Sequence, residues 1–430
     1  MILVYSEKNT SRLKYTLDLI FGEVMAIRYL LTDDFDLFLQ STAIRINYSE
    51  KRIEKVLHIS PSGLLHEKGI QEQSINMGTW HNIPVLFANN SPDLTFDFFS
   101  AVFYLVTRYE EYLNFEPDRH GRFEATQSLA WKNNFLDLPV VDLWCKYLAD
   151  ELGILKECKG VHPSNYRFQL TIDIDQARNG LFHIAGRMIK RLLKFDFPGV
   201  NQQIRILLRL SKDPADTFDY LEDIRQRLSE EIKFFILFGK RGKYDINNST
   251  KDKKFQNLII RLTSKNIVGI HPSYASNASF NLLETEHKKL SDVVHKKIII
   301  SRQHFLKLKM PETYRNLIKI GIEEDYTMGY GTQNGFRAGI ARPFYFFDLQ
   351  NETATKLRVF PFQAMDRTLL TYLKYTPAKA ILEFKYYSKT IEEVGGLFIP
   401  LWHNTSLGDE GEWKGWKVVF EEMINLNKLP

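Results

Sequence analysis

The chain has 430 residues, a length that predicts two or three domains, or one large domain with an addition. Hydrophobic residues make up 44% and charged residues 25%, as is ordinary for a soluble globular protein. The net charge of +5 is small for this length and gives no strong case for a nucleic-acid partner. Only Cys145 and Cys158 are cysteines, which excludes a disulfide-rich scaffold.

The start of the chain shows no targeting pattern. Residues 2–5 are apolar and residues 6–11 are mostly polar, so no charged start is followed by a long apolar stretch and a cleavage site. No run approaches the ~20 apolar residues that cross a bilayer. We therefore expect no membrane span and a cytoplasmic protein.

Residues 1–95 predict a small α/β domain. Residues 2–5 form an apolar strand candidate, and residues 13–21 carry apolar side chains at helical spacing. Residues 42–48 alternate as a half-buried strand does, and residues 58–60 are a further strand candidate. Nothing in this domain has the spacing of a catalytic motif.

Residues 96–165 predict a helical connecting region. Apolar residues cover most of the helix predicted over 97–113, so this helix should be buried. Arg108, Glu110 and Glu111 lie within it, and buried charges are usually paired. We therefore expect a structural ion pair there.

Residues 166–430 predict strands that alternate with helices. The strand-like runs lie at 168–174, 232–238, 267–271, 297–302, 324–328 and 396–403. Residues 180–230 are predicted to be mostly helical. Such alternation is typical of a parallel sheet, often curled into a barrel. We predict an α/β fold, with a (β/α) barrel over 166–430 that follows the smaller α/β domain.

Several of these strands end in residues that can bind a metal or move a proton. These residues are Asp173, Asp175, His271, Arg302, His304 and His403. In a barrel the strand ends share one face, where catalytic groups converge. Asp and His together match the ligands of zinc and related divalent ions. On its own, the acidic pair is equally typical of a solvated turn at the end of a strand. Each histidine on its own is typical of a structural residue.

The order of these residues resembles that of the polysaccharide deacetylases, the NodB-homology or carbohydrate esterase family 4 proteins. The sequence Thr-Ile-Asp-Ile-Asp at 171–175 resembles their first motif with one inserted residue. Residues 269–275 and 301–305 stand at the places of the second and third motifs, and Leu-Trp-His at 401–403 matches the last. The resemblance covers about residues 166–425. It implies a distorted seven-stranded barrel, in a divergent bacterial subgroup with an N-terminal domain of unknown function.

The resemblance also implies roles for individual residues. Asp173 would be the general base, and Asp175 and His271 would be metal ligands. His403 would be the general acid. Arg302 would orient Asp173 and keep it ionised, because a nearby cation lowers the pKa of a carboxylate.

One position departs from the family pattern. Ala275 replaces the second histidine of the second motif. His304, at the adjacent strand end, is the candidate third ligand for a divalent metal, with zinc expected. Ser273 or Ser276 could instead hold a metal-bound water.

Three further residues are candidate substrate contacts: Tyr274, Arg337 and Trp402. Together with Phe305, the two aromatic side chains could line a sugar groove. Core packing is the alternative for the aromatic residues. A structural salt bridge near a Gly-rich turn is the alternative for Arg337.

We therefore expect a metal-dependent hydrolase that removes acetyl groups from an acetylated carbohydrate, either a sugar or a glycan. Two alternatives stay open. The first is a degenerate barrel that binds glycan or a partner protein without catalysis, which Ala275 favours. The second is an amidohydrolase acting on a small non-sugar amide, because one fold can host several chemistries.

Overall fold

A computed structural model describes residues 1–178, 188–189, 192–193, 195–208, 210–211 and 213–427. The chain divides into two compact units. Unit 1 contains residues 1–167, 308–363 and 387–398, and unit 2 contains residues 168–307, 364–386 and 399–430. The chain first leaves unit 1 close to the predicted boundary at residue 166, and two later segments return to it. The predicted regions 1–95, 96–165 and 166–430 stay a prediction.

The strands are short, and we number them in chain order. They are β1 Ile2–Tyr5, β2 Tyr29–Thr32, β3 Ile44–Asn47, β4 Leu57–His58, β5 Gly78–Trp80, β6 Ile83–Val85, β7 Arg167–Phe168, β8 Thr171–Ile174, β9 Lys233–Ile236, β10 Ile267–Ile270, β11 Ile300–Ser301, β12 Glu324–Asp325, β13 Phe344–Asp348, β14 Thr353–Val359, β15 Ala364–Met365, β16 Leu397–Phe398 and β17 Pro400–His403.

The α-helices of the described residues are also numbered in chain order. They are α1 Ser11–Leu17, α2 Phe35–Gln40, α3 Phe98–Val106, α4 Leu129–Lys132, α5 Val140–Glu151, α6 Phe197–Leu207, α7 Phe218–Arg225, α8 Lys253–Thr263, α9 Phe280–Val294, α10 Glu312–Lys319, α11 Pro377–Glu392 and α12 Trp416–Leu426. Two π-helical segments, Asp18–Val24 and Thr368–Tyr372, and several 3₁₀ turns complete the helical structure.

Unit 1 contains a four-stranded parallel sheet with the order β2-β1-β3-β4. The central strand β1 is buried at every position, as expected for a parallel strand that is covered on both faces. Strands β13 and β14 pair antiparallel, and β12 pairs parallel with β14. Strands β5 and β6 form a separate hairpin.

Helix α3 of unit 1 ends earlier than the predicted span 97–113. Asp97 caps its first turn, and the helix stops at Val106. Arg108 then adopts a left-handed φ of 55°, and a 3₁₀ turn follows. Arg108 is fully buried, and its guanidinium lies 2.7 Å from both Glu110 and Glu111. The predicted structural ion pair is confirmed.

The described residues of unit 2 form a sheet of six parallel strands in the order β11-β10-β9-β8-β17-β15. Strands β8 and β9 are buried at every position. In this register Asp173 lies beside Phe235 on one side and His403 on the other. Helices α8 and α9 connect successive strands, as parallel pairing requires. The predicted α/β class with a parallel sheet is confirmed.

The connection between β8 and β9 includes α6 and α7, in the region 180–230 that was predicted to be mostly helical. Residues 180–187, 190, 191, 194, 209 and 212 of that region lie outside the described residues. Among the helices that the structure describes, none combines the length and the apolar character needed to cross a membrane. Cys145 and Cys158 are both buried and unbonded.

Candidate active site

Three of the predicted metal ligands converge in unit 2, at the carboxyl ends of its strands. Asp175 follows β8, His271 follows β10, and His304 follows β11. One ligand atom from each lies within 4.8 Å of the other two. Asp175 Oδ1 is 3.3 Å from His271 Nε2 and 3.8 Å from His304 Nε2. The sheet therefore places two imidazole nitrogens beside one carboxylate oxygen.

The ring of His271 is held by the backbone of the neighbouring strand end. Its Nδ1 lies 2.6 Å from the carbonyl oxygen of Arg302. A carbonyl can only accept, so Nδ1 carries the proton and donates it. In the neutral ring this leaves the lone pair on Nε2, which faces Asp175. A hydrogen bond of this kind fixes both the tautomer and the ring orientation that a metal-binding histidine needs.

The ring of His304 is held by Asp245, a residue that sequence reasoning missed. His304 Nδ1 lies 2.8 Å from Asp245 Oδ1, and both side chains are buried. The same carboxylate oxygen accepts a hydrogen bond of 2.7 Å from the backbone N–H of Tyr274. Asp245 thus fixes His304 so that its Nε2 points toward Asp175, in the carboxylate–histidine arrangement common at zinc sites.

The backbone after His304 adopts an uncommon conformation. Phe305 and Leu306 have φ angles of 59° and 53°, the left-handed region that non-glycine residues rarely occupy. The backbone N–H of His304 also donates a hydrogen bond of 3.2 Å to the carbonyl of Pro272. Strain of this kind persists where the surrounding structure enforces it, often at functional sites. Here it accompanies the placement of His304 beside His271.

The charge at this cluster favours a bound cation. Asp175 Oδ1 is buried and makes no hydrogen bond within the described part of the chain. Burial raises the pKa of Asp175, but the charge of His304 and the contact with His271 outweigh it, so its pKa lies well below the ordinary value. Burial lowers the pKa of His271, but Asp173 and Asp175 raise it above the ordinary value. The residues present fit a divalent ion, since two histidines and one carboxylate match the three protein ligands of catalytic zinc sites.

Asp173 and Arg302 form a buried pair beside this cluster. Arg302 Nη1 donates to Asp173 Oδ1 at 2.8 Å, and Nη2 donates to Thr171 Oγ1 at 2.9 Å. The guanidinium also stacks over the Phe235 ring, 4.5 Å from its centroid. Asp173 Oδ2 lies 3.6 Å from His271 Nε2. One carboxylate oxygen is therefore held by the arginine, and the other faces the ligand cluster.

His403 is oriented by Asp366, a second residue that sequence reasoning missed. His403 Nδ1 lies 2.8 Å from Asp366 Oδ1, and the His403 backbone N–H donates to Asp366 Oδ2 at 2.8 Å. The hydroxyl of Ser406 donates to the same Oδ2 at 2.5 Å. Burial lowers the pKa of His403, but Asp366 raises it more, to about 9. His403 therefore carries a proton at neutral pH.

The predicted sugar-contacting residue Tyr274 belongs to an aromatic cluster beside His304. The ring centroids of Tyr244, Tyr274 and Phe305 lie 4.4 to 5.5 Å apart. All three side chains are partly exposed. Lys307 Nζ lies 3.9 Å from the centre of the Tyr274 ring. A partly exposed aromatic surface with a neighbouring cation suits the apolar face and the hydroxyls of a sugar.

Ser273 and Ser276, the alternative holders of a metal-bound water, are engaged elsewhere. The Ser273 hydroxyl donates to Glu286 Oε1 at 2.7 Å, and the Ser276 hydroxyl donates to the Ser273 carbonyl at 2.8 Å. Both serines are almost fully buried. Ala275 lies between them and is exposed. These hydrogen bonds orient the loop after β10.

Trp402 lies in the interior of unit 2. Its side chain is fully buried, and its ring stacks on Phe384 and meets Phe420 edge-on, with centroid distances of 5.5 and 5.0 Å. The indole N–H contacts the sulfur of Met423 at 3.3 Å. These contacts are those of a core residue, the alternative that the sequence left open. Its predicted role as a substrate contact stays a prediction that these contacts do not support.

Arg337 lies in unit 1 and is almost fully buried. Its guanidinium forms two hydrogen bonds with the Glu111 carboxylate, at 2.9 and 2.6 Å, and a third with the Gly329 carbonyl. It also lies over the Tyr330 ring. The structure thus provides the salt bridge that was the alternative for this residue, and its role in substrate binding stays a prediction.

Comparison with known sequences identifies one family. Residues 2–156 match a family described as a family of unknown function (DUF7033). This match agrees with the expected N-terminal domain of unknown function, and it ends before the strands that carry the candidate site. No curated protein matches the sequence.

Similar solved structures have low sequence identity to this chain. A candidate polysaccharide deacetylase from Mycobacterium smegmatis is 14% identical, with 60% of this chain and 84% of that chain covered and a TM-score of 0.39. A polysaccharide deacetylase from Bacillus cereus is 10% identical, with 60% and 85% covered and a TM-score of 0.29. A carbohydrate esterase family 4 pseudoenzyme from Bacillus anthracis is 11% identical, with 62% and 63% covered and a TM-score of 0.28. These descriptions belong to those proteins.

Proposed function

We propose that this protein is a metal-dependent hydrolase that removes acetyl groups from an acetylated sugar or glycan. One observation carries the proposal. Asp175, His271 and His304 present three ligand atoms within 4.8 Å of one another, and Arg302 and Asp366 hold a candidate base and a candidate acid at the same strand ends. Metal binding, removal of a proton from water and protonation of the leaving group would thus fall to separate side chains.

Asp173 is the proposed general base. Zinc or a related divalent ion, held by Asp175, His271 and His304, would polarise the acetyl carbonyl and acidify water at this site. Asp173 accepts a proton from the attacking water on Oδ2, the oxygen that Arg302 does not hold. Arg302 orients the carboxylate through the hydrogen bond that it donates to Oδ1.

His403 is the proposed general acid. Water adds to the acetyl carbon, the bond to nitrogen or oxygen breaks, and acetate leaves. His403 donates a proton from Nε2 to the departing amine or alcohol, since its Nδ1 is held by Asp366. The raised pKa keeps this proton in place at neutral pH. The cluster of Tyr244, Tyr274 and Phe305 supplies a surface for the sugar ring.

Two further elements of the resemblance belong to this proposal. We assign the parallel sheet of unit 2 to a distorted (β/α) barrel of the NodB type. The alternative function is a barrel that binds glycan or a partner without catalysis. Ala275 favours this alternative because it removes the family's second histidine. His304 argues against the non-catalytic alternative, since its Nε2 already faces Asp175.

The test is acetate release from soluble N-acetylglucosamine oligomers by protein dialysed against zinc or against chelator. We expect release with zinc and none after chelation. The His304→Asn variant should bind zinc more weakly, with one imidazole ligand instead of two, and should lose activity, because asparagine can still bond to Asp245 but lacks Nε2. His295→Asn is the matched control, since His295 is exposed at the end of α9.

The outcomes separate the three candidate functions. Zinc binding with acetate release only from small non-sugar acetamides would favour the amidohydrolase. Glycan binding without acetate release, at any zinc concentration, would favour the non-catalytic barrel. Unchanged activity in His304→Asn would contradict the proposed ligand set.

A further inference from the structure

A cavity of unit 1 is lined by three arginines that the proposed function does not use. Arg167, Arg342 and Arg358 line it, and Glu23 is the acidic residue of the lining. These four charged residues give the lining a net charge of +2, from three cations and one anion. The cavity has a volume of about 410 Å³. Sites for small molecules typically measure about 300–1,000 Å³, so a small ligand fits this cavity.

Arg358 is positioned by aromatic rings and lacks a close carboxylate partner. It lies in β14 opposite Tyr345 of β13. Its guanidinium carbon is 5.5 Å from the centre of the Tyr345 ring and 5.6 Å from the centre of the Phe360 ring. Its Nη2 lies 3.5 Å from Glu23 Oε2, which is longer than the about 2.7–2.9 Å of a charge-assisted hydrogen bond. The guanidinium is therefore held in place while its charge is only weakly compensated.

Arg342 is fixed by hydrogen bonds to the interior of unit 1. Its Nε donates to Asp142 Oδ1 at 2.5 Å, and its Nη2 donates to the carbonyl of Val394. Asp142 is fully buried and also accepts a hydrogen bond of 2.7 Å from the backbone N–H of Ala341. Within the described part of the chain, Nη1 of Arg342 makes no hydrogen bond. The guanidinium plane is thus fixed at the cavity, and one of its nitrogens can still bind a ligand.

Arg167 is the most exposed of the three arginines. Its backbone N–H donates to the carbonyl of Gly396 at 3.0 Å, so two distant parts of the chain meet at the cavity. Among the residues that the structure describes, its guanidinium has no ion-pair partner. Ser164 and Asn165, which also line the cavity, are exposed. A ligand can therefore reach the cavity from solvent.

We propose that this cavity binds a small molecule that carries a phosphoryl group. Guanidinium groups form paired hydrogen bonds with phosphate oxygens. A phosphoryl group offers three oxygens to the three arginines, whereas a carboxylate offers two. Its charge of about −1.5 to −2 at neutral pH also balances the +2 of the lining. The site lies in unit 1 and shares no residue with the candidate active site, so the proposal does not depend on the proposed function.

The test is isothermal titration calorimetry of the full chain with inorganic phosphate and with formate as the carboxylate probe. We expect one phosphate site and binding of formate at least about tenfold weaker. Arg358→Gln should weaken phosphate binding about thirtyfold, and Arg167→Gln about tenfold, because each removes charge-assisted hydrogen bonds. Arg358→Lys should lie between Arg358→Gln and the wild type, since lysine keeps the charge but not the planar fork. Arg342 is left unchanged because its loss would leave Asp142 buried without its cation.

Arg52→Gln is the matched control, because Arg52 is exposed elsewhere in unit 1 and pairs with Asp93. It should bind phosphate like the wild type, and so should Asp175→Ala, whose change lies in the candidate metal site. The proposal would be overturned by a wild-type chain that binds no phosphate, by formate binding as tightly as phosphate, or by an Arg167→Gln variant equal to the control. Loss of phosphate binding in Asp175→Ala would also overturn it, since the phosphate would then bind at the metal site. Arg167 is exposed, so its variant keeps the test decisive even if Arg358→Gln does not fold.

Discussion

Each unit buries a cluster of charged side chains, and the two clusters differ in how their charges are balanced. In unit 1, Glu111 contacts both Arg108 and Arg337, and Glu110 contacts Arg108. Two cations thus face two anions. Burial raises the pKa of Glu111, but the two arginines lower it more, and it stays ionised. The charges of these four side chains cancel without an added proton or a bound ion.

The cluster in unit 2 is not balanced in this way. Asp173, Asp175, Asp245 and Asp366 are held close to three histidines, and Arg302 is the permanent cation that contacts Asp173. Within the described residues, protons on the histidines or a metal ion can supply further positive charge. A buried cluster whose charges are balanced by permanent cations can stabilise the fold. A buried cluster whose carboxylates also draw on protons or a metal ion can bind a metal and transfer protons.

The largest effect is expected from a variant that removes one ligand of the proposed metal site in unit 2. Asp175→Asn should lower the rate of acetate release on the order of ten-thousandfold, because it removes the charged ligand of the metal. The free energy of unfolding of the metal-free protein should also fall, because the lowered pKa of Asp175 means that the fold stabilises its ionised form. Kinetics and urea unfolding check both parts. Retained activity would exclude Asp175 from the site.

In unit 1 we expect a loss of stability without a loss of zinc affinity. Glu111→Gln leaves Arg108 and Arg337 with one buried carboxylate fewer, and such a loss costs about 3–5 kcal/mol of unfolding free energy. The zinc affinity of the folded fraction should not change. Urea unfolding and zinc titration measure the two effects, with the exposed Glu157→Gln as control. A stable variant would show that this cluster is not structural.

The pH dependence of stability tests the pair of His403 and Asp366. The pKa of His403 is raised from about 6.5 in the unfolded chain to about 9 in the fold. Its contribution, up to about 3 kcal/mol, is therefore fully present below about pH 6.5 and is lost as the pH rises through about 9. The difference in unfolding free energy between metal-free wild type and His403→Gln should shrink over that range. A difference that stays constant with pH would contradict the raised pKa.

The smallest expected effect concerns the residue that orients His304. Asp245→Asn should lower zinc affinity about 10- to 100-fold, because residues that orient a metal-binding histidine typically have effects of this size. Isothermal titration calorimetry measures the affinity. Asp292→Asn, at an exposed position of α9, is the control. An affinity equal to that of the control would show that Asp245 does not support the site.

The sequence predicted those parts of the site that sit at the ends of recognisable strands. Asp173, Asp175 and His271 follow apolar runs, and their convergence follows from parallel pairing. Asp245 lies in a loop without a periodic pattern, and Asp366 follows a strand of two residues, so neither gave a signal.

The sequence also did not reveal ion pairs between residues that are far apart along the chain. Arg337 pairs with Glu111, 226 positions earlier in the chain, and no local pattern reveals such a partner. Trp402 lies within an apolar strand and precedes a histidine, which fits a groove as well as a core. Only its packing against Phe384 and Phe420 distinguishes the two. The predicted roles of the site residues stay predictions until they are tested.

X-ray absorption spectroscopy of the zinc-loaded protein tests the ligand set most directly, because it counts imidazole ligands without relying on activity. We expect two imidazoles and oxygen ligands in the wild type, from His271, His304 and Asp175. We expect one imidazole in His304→Asn and two in the control His295→Asn. A wild-type spectrum with one imidazole, or a protein that takes up no zinc, would contradict the proposed metal site.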